Sequence, residues 1–224
     1  MQNNTIPGAG AGYADRVSRQ VPGLDDLHQM VGLLLAERVP EGGRVLVVGA
    51  GGGMELAALA AAYPSWFFDG VDPSALMLAQ ARERLGPAMA RVRLHEGYID
   101  ASPEGPFDGA TCLLTLHFLP EAERRRTLRV IGQRLKPGAP LVTMHHSFPT
   151  SDQEKDKWLA RNAAFAASRG MPSIQTVSSL AAMKQSLPVL TPAQDEALLR
   201  DAGFTEIDLF YAAFTFKGWV SIKA

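Results

Sequence analysis

The sequence predicts an α/β fold: a mostly parallel seven-stranded sheet with a C-terminal antiparallel hairpin and a small helical cap. Three observations predict it. A short apolar run, Val45 to Val48, is followed at once by Gly49, Gly51, Gly52 and Gly53, then by an Ala/Leu-rich stretch of helical composition. Apolar runs of strand length alternate with amphipathic stretches from there to His145, which implies right-handed crossovers between parallel strands. Two further strand-like runs, Ile207 to Ala213 and Phe214 to Ile222, lie too close together for a crossover and pair antiparallel.

The elements follow in order. Residues 1–12 are polar and glycine-rich, and residues 1–20 are expected to be a flexible segment before a single domain over 21–224. From Leu24 to Val39 the apolar positions Leu27, Met30, Val31, Leu34 and Leu35 fall at helical spacing, and Pro40-Glu41-Gly42-Gly43 ends that helix. After the first strand and helix, Trp66 to Val71 reads as a second strand. Pro73-Ser74 then opens a helix over Ala75 to Leu85, which Gly86-Pro87 stops. Val92 to Glu96 is a third strand, and Phe107 to Leu116 carries a fourth. Glu121 to Leu135 is amphipathic and ends at Lys136-Pro137-Gly138, and Pro140 to His145 is a fifth strand. The alternation then breaks. Trp158 to Arg169 and Val177 to Lys184 read as helices of a cap at about 150–190. Thr191-Pro192 starts a helix, with threonine as cap and proline in the first turn, that ends at Gly203.

Bulk properties narrow the class. The chain has 224 residues, 46% of them hydrophobic, and a formal net charge of −1, which suits one packed domain and gives no electrostatic footprint for nucleic acid. The basic run Arg124-Arg125-Arg126 sits among acids on one predicted helix and reads as a solvated face. A lone cysteine, Cys112, and the lack of a long apolar span point to a soluble cytoplasmic protein with no membrane partner.

The glycine turn carries the chemistry. Between a strand and a helix it gathers backbone N–H groups and a helix N-terminus around a ligand. The spacing Gly49-x-Gly51-x-Gly53 has no Gly-Lys-Ser/Thr, which excludes a triphosphate P-loop. Asp72 ends the second strand, 19 residues after Gly53, where a carboxylate can accept both hydroxyls of a ribose. It could equally cap the helix beside Pro73. Glycine turn and acid together suit either a nicotinamide cofactor or S-adenosylmethionine.

Further motifs separate these. Lys136-Pro137-Gly138-Ala139-Pro140-Leu141-Val142 resembles the L-K-P-G-G turn of class I S-adenosylmethionine-dependent methyltransferases. Ala202-Gly203-Phe204 with the two C-terminal strands resembles the close of that Rossmann-like fold. Within the superfamily, Val21-Pro22-Gly23, the run Met30 to Arg38 and Thr115-Leu116-His117-Phe118-Leu119 look like carboxy-S-adenosylmethionine synthase, a homodimeric family. The resemblance implies S-adenosyl-L-methionine as cofactor and S-adenosyl-L-homocysteine as product. It places Gly49, Ala50 and Gly51 at the methionine part and Asp72 at the ribose, with Gly53 and Pro73 also among the cofactor-binding residues. Tyr98 and Ile99 would flank the adenine, and Leu113 would offer backbone near the sulfonium. Departures are visible too. Val47 stands where the family has an acid, Tyr98 replaces the acid that meets the adenine amine (Asp100 is close enough to substitute), and the synthase's carboxylate-gripping arginine is missing from Ala181-Ala182-Met183-Lys184.

Candidate catalytic residues are His117, after the fourth strand, and His145 and His146, at the end of the fifth. Successive strand residues face opposite ways, so one of the latter pair faces the pocket and the other packs. Each has the neutral titration range of a general base. With no carboxylate or cysteine pattern around them, no metal site is expected. Tyr13 and Arg19 could close over a small-molecule substrate, and Trp158 could line its site. The leading expectation is methyl transfer to a small molecule. The alternatives are a carboxy-S-adenosylmethionine-synthase-like modification or a cyclisation of the cofactor itself, and a non-catalytic cofactor-binding subunit.

Overall fold

The computed structural model describes residues 12–172, 184 and 187–224. Seven strands run β1 (Arg44–Val48), β2 (Phe67–Asp72), β3 (Val92–Glu96), β4 (Gly109–Leu113), β5 (Pro140–His146), β6 (Phe204–Ala213) and β7 (Phe216–Lys223). They form one sheet in the order β3-β2-β1-β4-β5-β7-β6. The first five are parallel, and β7 inserts antiparallel between β5 and β6. This is the expected mostly parallel α/β sheet with its antiparallel hairpin. The described helices are α1 (Tyr13–Gln20), α2 (Leu24–Ala36), α3 (Met54–Ala62), α4 (Ala75–Leu85), α5 (Glu121–Arg134), α6 (Asp152–Ser168) and α7 (Pro192–Asp201).

Two cores flank the sheet because alternate strand residues point to opposite faces. Val45 and Val47 of β1 and Val142 and Met144 of β5 pack under α1, α2 and α3. Leu46 and Val48 of β1 and Leu141 of β5 pack under α5 and α7 with Trp219. The central strands are buried along almost their whole length, which explains their uninterrupted apolar sequence. Thr191 caps α7 in a capping box with Gln194, as the Thr-Pro start predicted.

Composition assigned residues 1–20 to a flexible segment. Residues 13–20 form α1, whose Val17 is buried in the first core. Arg19 ties α1 to the end of α6 by donating to the Gly170 carbonyl at 3.2 Å. The expected cap helix over Trp158 to Arg169 is α6, which starts six residues earlier, at Asp152. Of the stretch Val177 to Lys184, only Lys184 belongs to the described residues. No described helix is long and apolar enough to cross a membrane.

Candidate active site

The site lies at the carboxyl ends of β1, β2, β4 and β5, where a strand-order reversal opens a crevice in sheets of this kind. Gly49 follows β1 with φ +80, and a Cβ there would fall 1.9 Å from Thr115 Oγ1, so only glycine lets the turn pass beneath the end of β4. Gly53 plays a different part. Its φ is +75, and an added Cβ would meet the Ala81 Cα of α4 at 2.9 Å, so it serves the close approach of α3 and α4. Ala50 is buried at the same turn.

Asp72 ends β2 as expected and is buried. Its Oδ2 accepts from the Gly51 N–H at 2.9 Å and its Oδ1 from the Ser74 N–H at 2.9 Å, so one carboxylate pins the glycine turn to the start of α4. The helix cap is Ser74, which accepts from Met77 N. Burial raises the Asp72 carboxyl above its usual range, against the two N–H donors. Each oxygen keeps acceptor capacity beyond its one bond. Pro73 beside it is exposed.

The remaining cofactor candidates divide. Tyr98 is 54% exposed and lies near the rim, whereas Ile99 and Leu113 are buried in opposite cores. Asp100 is engaged by Arg126 at 2.6 and 2.7 Å. Tyr13 of α1 lies close enough to Asp72 for that charge to add to the burial that raises its phenol, and the Arg16 guanidinium, which opposes the rise, stands 5.4 Å over its ring. Arg19 pairs with Asp15 on its own helix at 2.9 Å. Trp158 donates to Glu154 at 3.1 Å, with the Arg161 guanidinium 4.7 Å and the Lys217 ammonium 5.5 Å from its ring centroid. Lys184 is paired with Asp156 at 2.6 Å.

The three histidines separate into a pair and an outlier. His117 and His146 are buried with ring centroids 4.7 Å apart, flanked by Phe118 at 4.2 Å and Phe216 at 4.1 Å. His145 points to the other face, 5.6 Å from Trp219, with Nε2 3.2 Å from Asp195, which the fully buried Arg124 also grips. Burial would raise Asp195, but His145 and Arg124 hold its carboxyl below the usual range. Arg124 therefore departs from the solvated face expected of its basic run. The neutral titration range expected of the pair also fails. Burial pushes His117 well below its ordinary value, helped by His146, His145 and Arg124, and burial with His145 pushes His146 down to about 3. At neutral pH both rings are uncharged and weakly basic.

Several residues escaped the sequence reading. Leu114, between β4 and Thr115, holds a left-handed φ of 53 although it is not glycine, a strain typical of ligand-facing turns. Thr215 joins His146 across the hairpin turn. Asn162 lies on the α6 face that meets the hairpin, between Trp158, near Lys217, and Phe165, 5.7 Å from Phe214; its Oδ1 is buried without a partner among the described residues. Only their surroundings distinguish them, and no local motif marks them. No group of three or more metal-ligating side chains occurs among the described residues.

The sheet order and the antiparallel hairpin are those of the Rossmann-like fold of class I methyltransferases. Residues 45–138 match a family model described as a methyltransferase domain, and the chain is a S-adenosylmethionine-dependent transferase carrying that domain. It is similar along its length to the carboxy-S-adenosyl-L-methionine synthase of Chromohalobacter salexigens, 28% identical over 219 residues, covering 94% of this chain and 80% of that one. Among solved structures it resembles an O-methyltransferase family protein from Burkholderia thailandensis with TM-score 0.64 and 16% identity, over 89% of this chain and 55% of that one. Human N-acetylserotonin methyltransferase in complex with SAM gives TM-score 0.60 and 16% identity, over 95% and 58%. The chain thus spans little more than half the length of these solved chains. Its residues suit the cofactor: a glycine turn with no room for a side chain at Gly49 or Gly53, a buried acid at the tip of β2 and the N-terminus of α3.

Proposed function

We propose that this chain transfers the methyl group of S-adenosylmethionine to a small molecule seated between the His117–His146 pair and α6. The observation that carries this reading is the bond from the Gly51 N–H to Asp72, which joins the glycine turn after β1 to the end of β2 on the same edge of the sheet as the buried ring pair after β4 and in β5. When bound, the cofactor supplies an electrophilic methyl on a sulfonium. Gly49 and Gly51, whose N–H groups are held by the Val71 carbonyl and by Asp72, let bare main chain approach its methionine part, and Asp72 accepts from its ribose. α1 and α6, joined through Arg19, exclude water from above. Positioning an acceptor in line supplies most of what such a displacement needs. One domain with α6 as part of its cap, a cytoplasmic homodimer, and an acceptor other than nucleic acid complete the proposal. The buried free Cys112 and the balanced charge support the cytoplasmic setting and the acceptor class, and the family resemblance supports the homodimer.

Modification of the cofactor itself is a second reading, favoured by the end-to-end similarity to a carboxy-S-adenosyl-L-methionine synthase. Against it, Lys184 is engaged by Asp156 and Arg161 is stacked on Trp158, which leaves neither obviously aimed at a second carboxylate. Calorimetry with S-adenosylmethionine, S-adenosylhomocysteine and NAD tests the ligand: heat with the two sulfur compounds and none with NAD is expected. Absence of heat with both sulfur compounds would overturn the reading. Methylthioadenosine formed from S-adenosylmethionine alone would favour the second one.

A further inference from the structure

The tautomers of the histidine pair follow from hydrogen bonds to their Nδ1 atoms. The main-chain N–H of His146 donates to His117 Nδ1 at 3.4 Å, so that nitrogen carries the lone pair and the ring's proton resides on Nε2. His146 Nδ1 lies 2.9 Å from Thr215 Oγ1. Thr215 is fully buried, and His146 is the one hydrogen-bond partner of its hydroxyl among the described residues. If the ring donated, the hydroxyl proton would be buried without an acceptor. If the hydroxyl donates, only a spare oxygen lone pair goes unused, which costs less. Thr215 therefore donates to His146, whose proton also resides on Nε2.

We infer that the pair is a neutral two-donor cradle, with Thr215 as its positioning residue, and that it takes a carboxylate oxygen of the acceptor rather than deprotonating a hydroxyl. Both lone pairs that could remove a proton are already spent on the main chain and on Thr215. The depressed basicity of both rings agrees with this. A carboxylate is the common oxygen nucleophile that is ionised at neutral pH without a base. With one of its oxygens held by N–H donors, the other forms the new C–O bond while the methyl–sulfur bond breaks and its electron pair passes to sulfur. The carboxylate becomes a methyl ester and the sulfonium a neutral thioether, so charge balances and no proton moves.

This inference rests on the methyltransferase reading, but its first test does not. Long-range 15N NMR of the free protein should show both rings with pyridine-like Nδ1 and pyrrole-like Nε2, unchanged from pH 5 to pH 8. A His146 ring protonated on Nδ1 would overturn it. In Thr215→Val the His146 tautomer should become mixed while His117 stays fixed, and Thr215→Ser should restore it; an unaltered His146 in the valine variant would remove Thr215 from the argument. With S-adenosylhomocysteine bound, benzoate should bind at least about tenfold more tightly than benzyl alcohol, as a hydrogen-bonded charge predicts. Equal affinity would refute the carboxylate. Failure of S-adenosylhomocysteine itself to bind would refute the methyltransferase reading and leave the tautomer test standing.

Discussion

Replacing Asp72 by alanine separates its two tasks, holding the turn and holding the ribose. The carboxylate accepts two main-chain N–H bonds at 2.9 Å, from Gly51 and Ser74, and hydrogen bonds to a charged group are worth about 1.5–3 kcal/mol each. Burial outweighs that gain for the charged form, but alanine leaves both N–H groups without their acceptor, so a net loss of about 3 kcal/mol is expected. For a chain of this length that lowers Tm by roughly 6–12 °C. Loss of the ribose contact adds a binding penalty of similar size to one such bond, a weakening of roughly tenfold to a hundredfold. Urea unfolding measures the first quantity and calorimetry with S-adenosylhomocysteine the second. The decisive comparison is a 2′,3′-dideoxy analogue of that ligand. If Asp72→Ala weakens the analogue as much as the parent compound, Asp72 acts only through the turn and the ribose assignment is wrong.

Three other outcomes follow from single contacts. Burial raises Glu55, which faces Thr111 from α3, from 4.5 to about 7. A raised carboxyl contributes stability below its unfolded value and loses it as pH climbs to the folded one, so the interval corresponds to about 3 kcal/mol lost between pH 4.5 and 7. Glu55→Gln should match the wild type at pH 4 and exceed it by up to about 3 kcal/mol at pH 8 in urea titrations; parallel pH profiles would refute the assignment. Arg124→Met leaves Asp195 buried without its guanidinium partner, at an expected cost of about 3–5 kcal/mol, and adding Asp195→Leu should recover most of it. A double variant no better than the single would mean that the ion pair is not the issue. Gly49→Ala places a methyl group 1.9 Å from Thr115 Oγ1 at a positive φ. It should abolish S-adenosylhomocysteine binding and cost about 2–4 kcal/mol, and retained binding would show that the turn can shift.

The sheet was legible because its strands are buried on both faces. Val45 to Val48 could be read from apolarity alone, and Gly49 and Asp72 from spacing against that strand. Helix ends were legible where chemistry marks them, as at Thr191-Pro192 and Gly86-Pro87. The histidines were legible as rim residues but not in role, because burial and the two Nδ1 bonds arise from chain segments far away in sequence. Arg124 shows the same limit: three consecutive arginines look alike until one turns inward to meet Asp195, 71 residues on. Residues 13–20 read as flexible because α1 gains its helix from packing against α6 rather than from its own composition.

The inserted β7 has a consequence for how the protein is made. Its neighbour β5 bears His146, yet Thr215, which orients that ring, comes 69 residues later. At translation rates of 5–20 residues per second, roughly 3–14 s pass between them. Throughout that interval the outer edge of β5 is an open, apolar hydrogen-bonding strand that any other chain could extend. The same insertion that closes this side of the sheet thus leaves β5 as an unpaired edge in the nascent chain until the hairpin arrives.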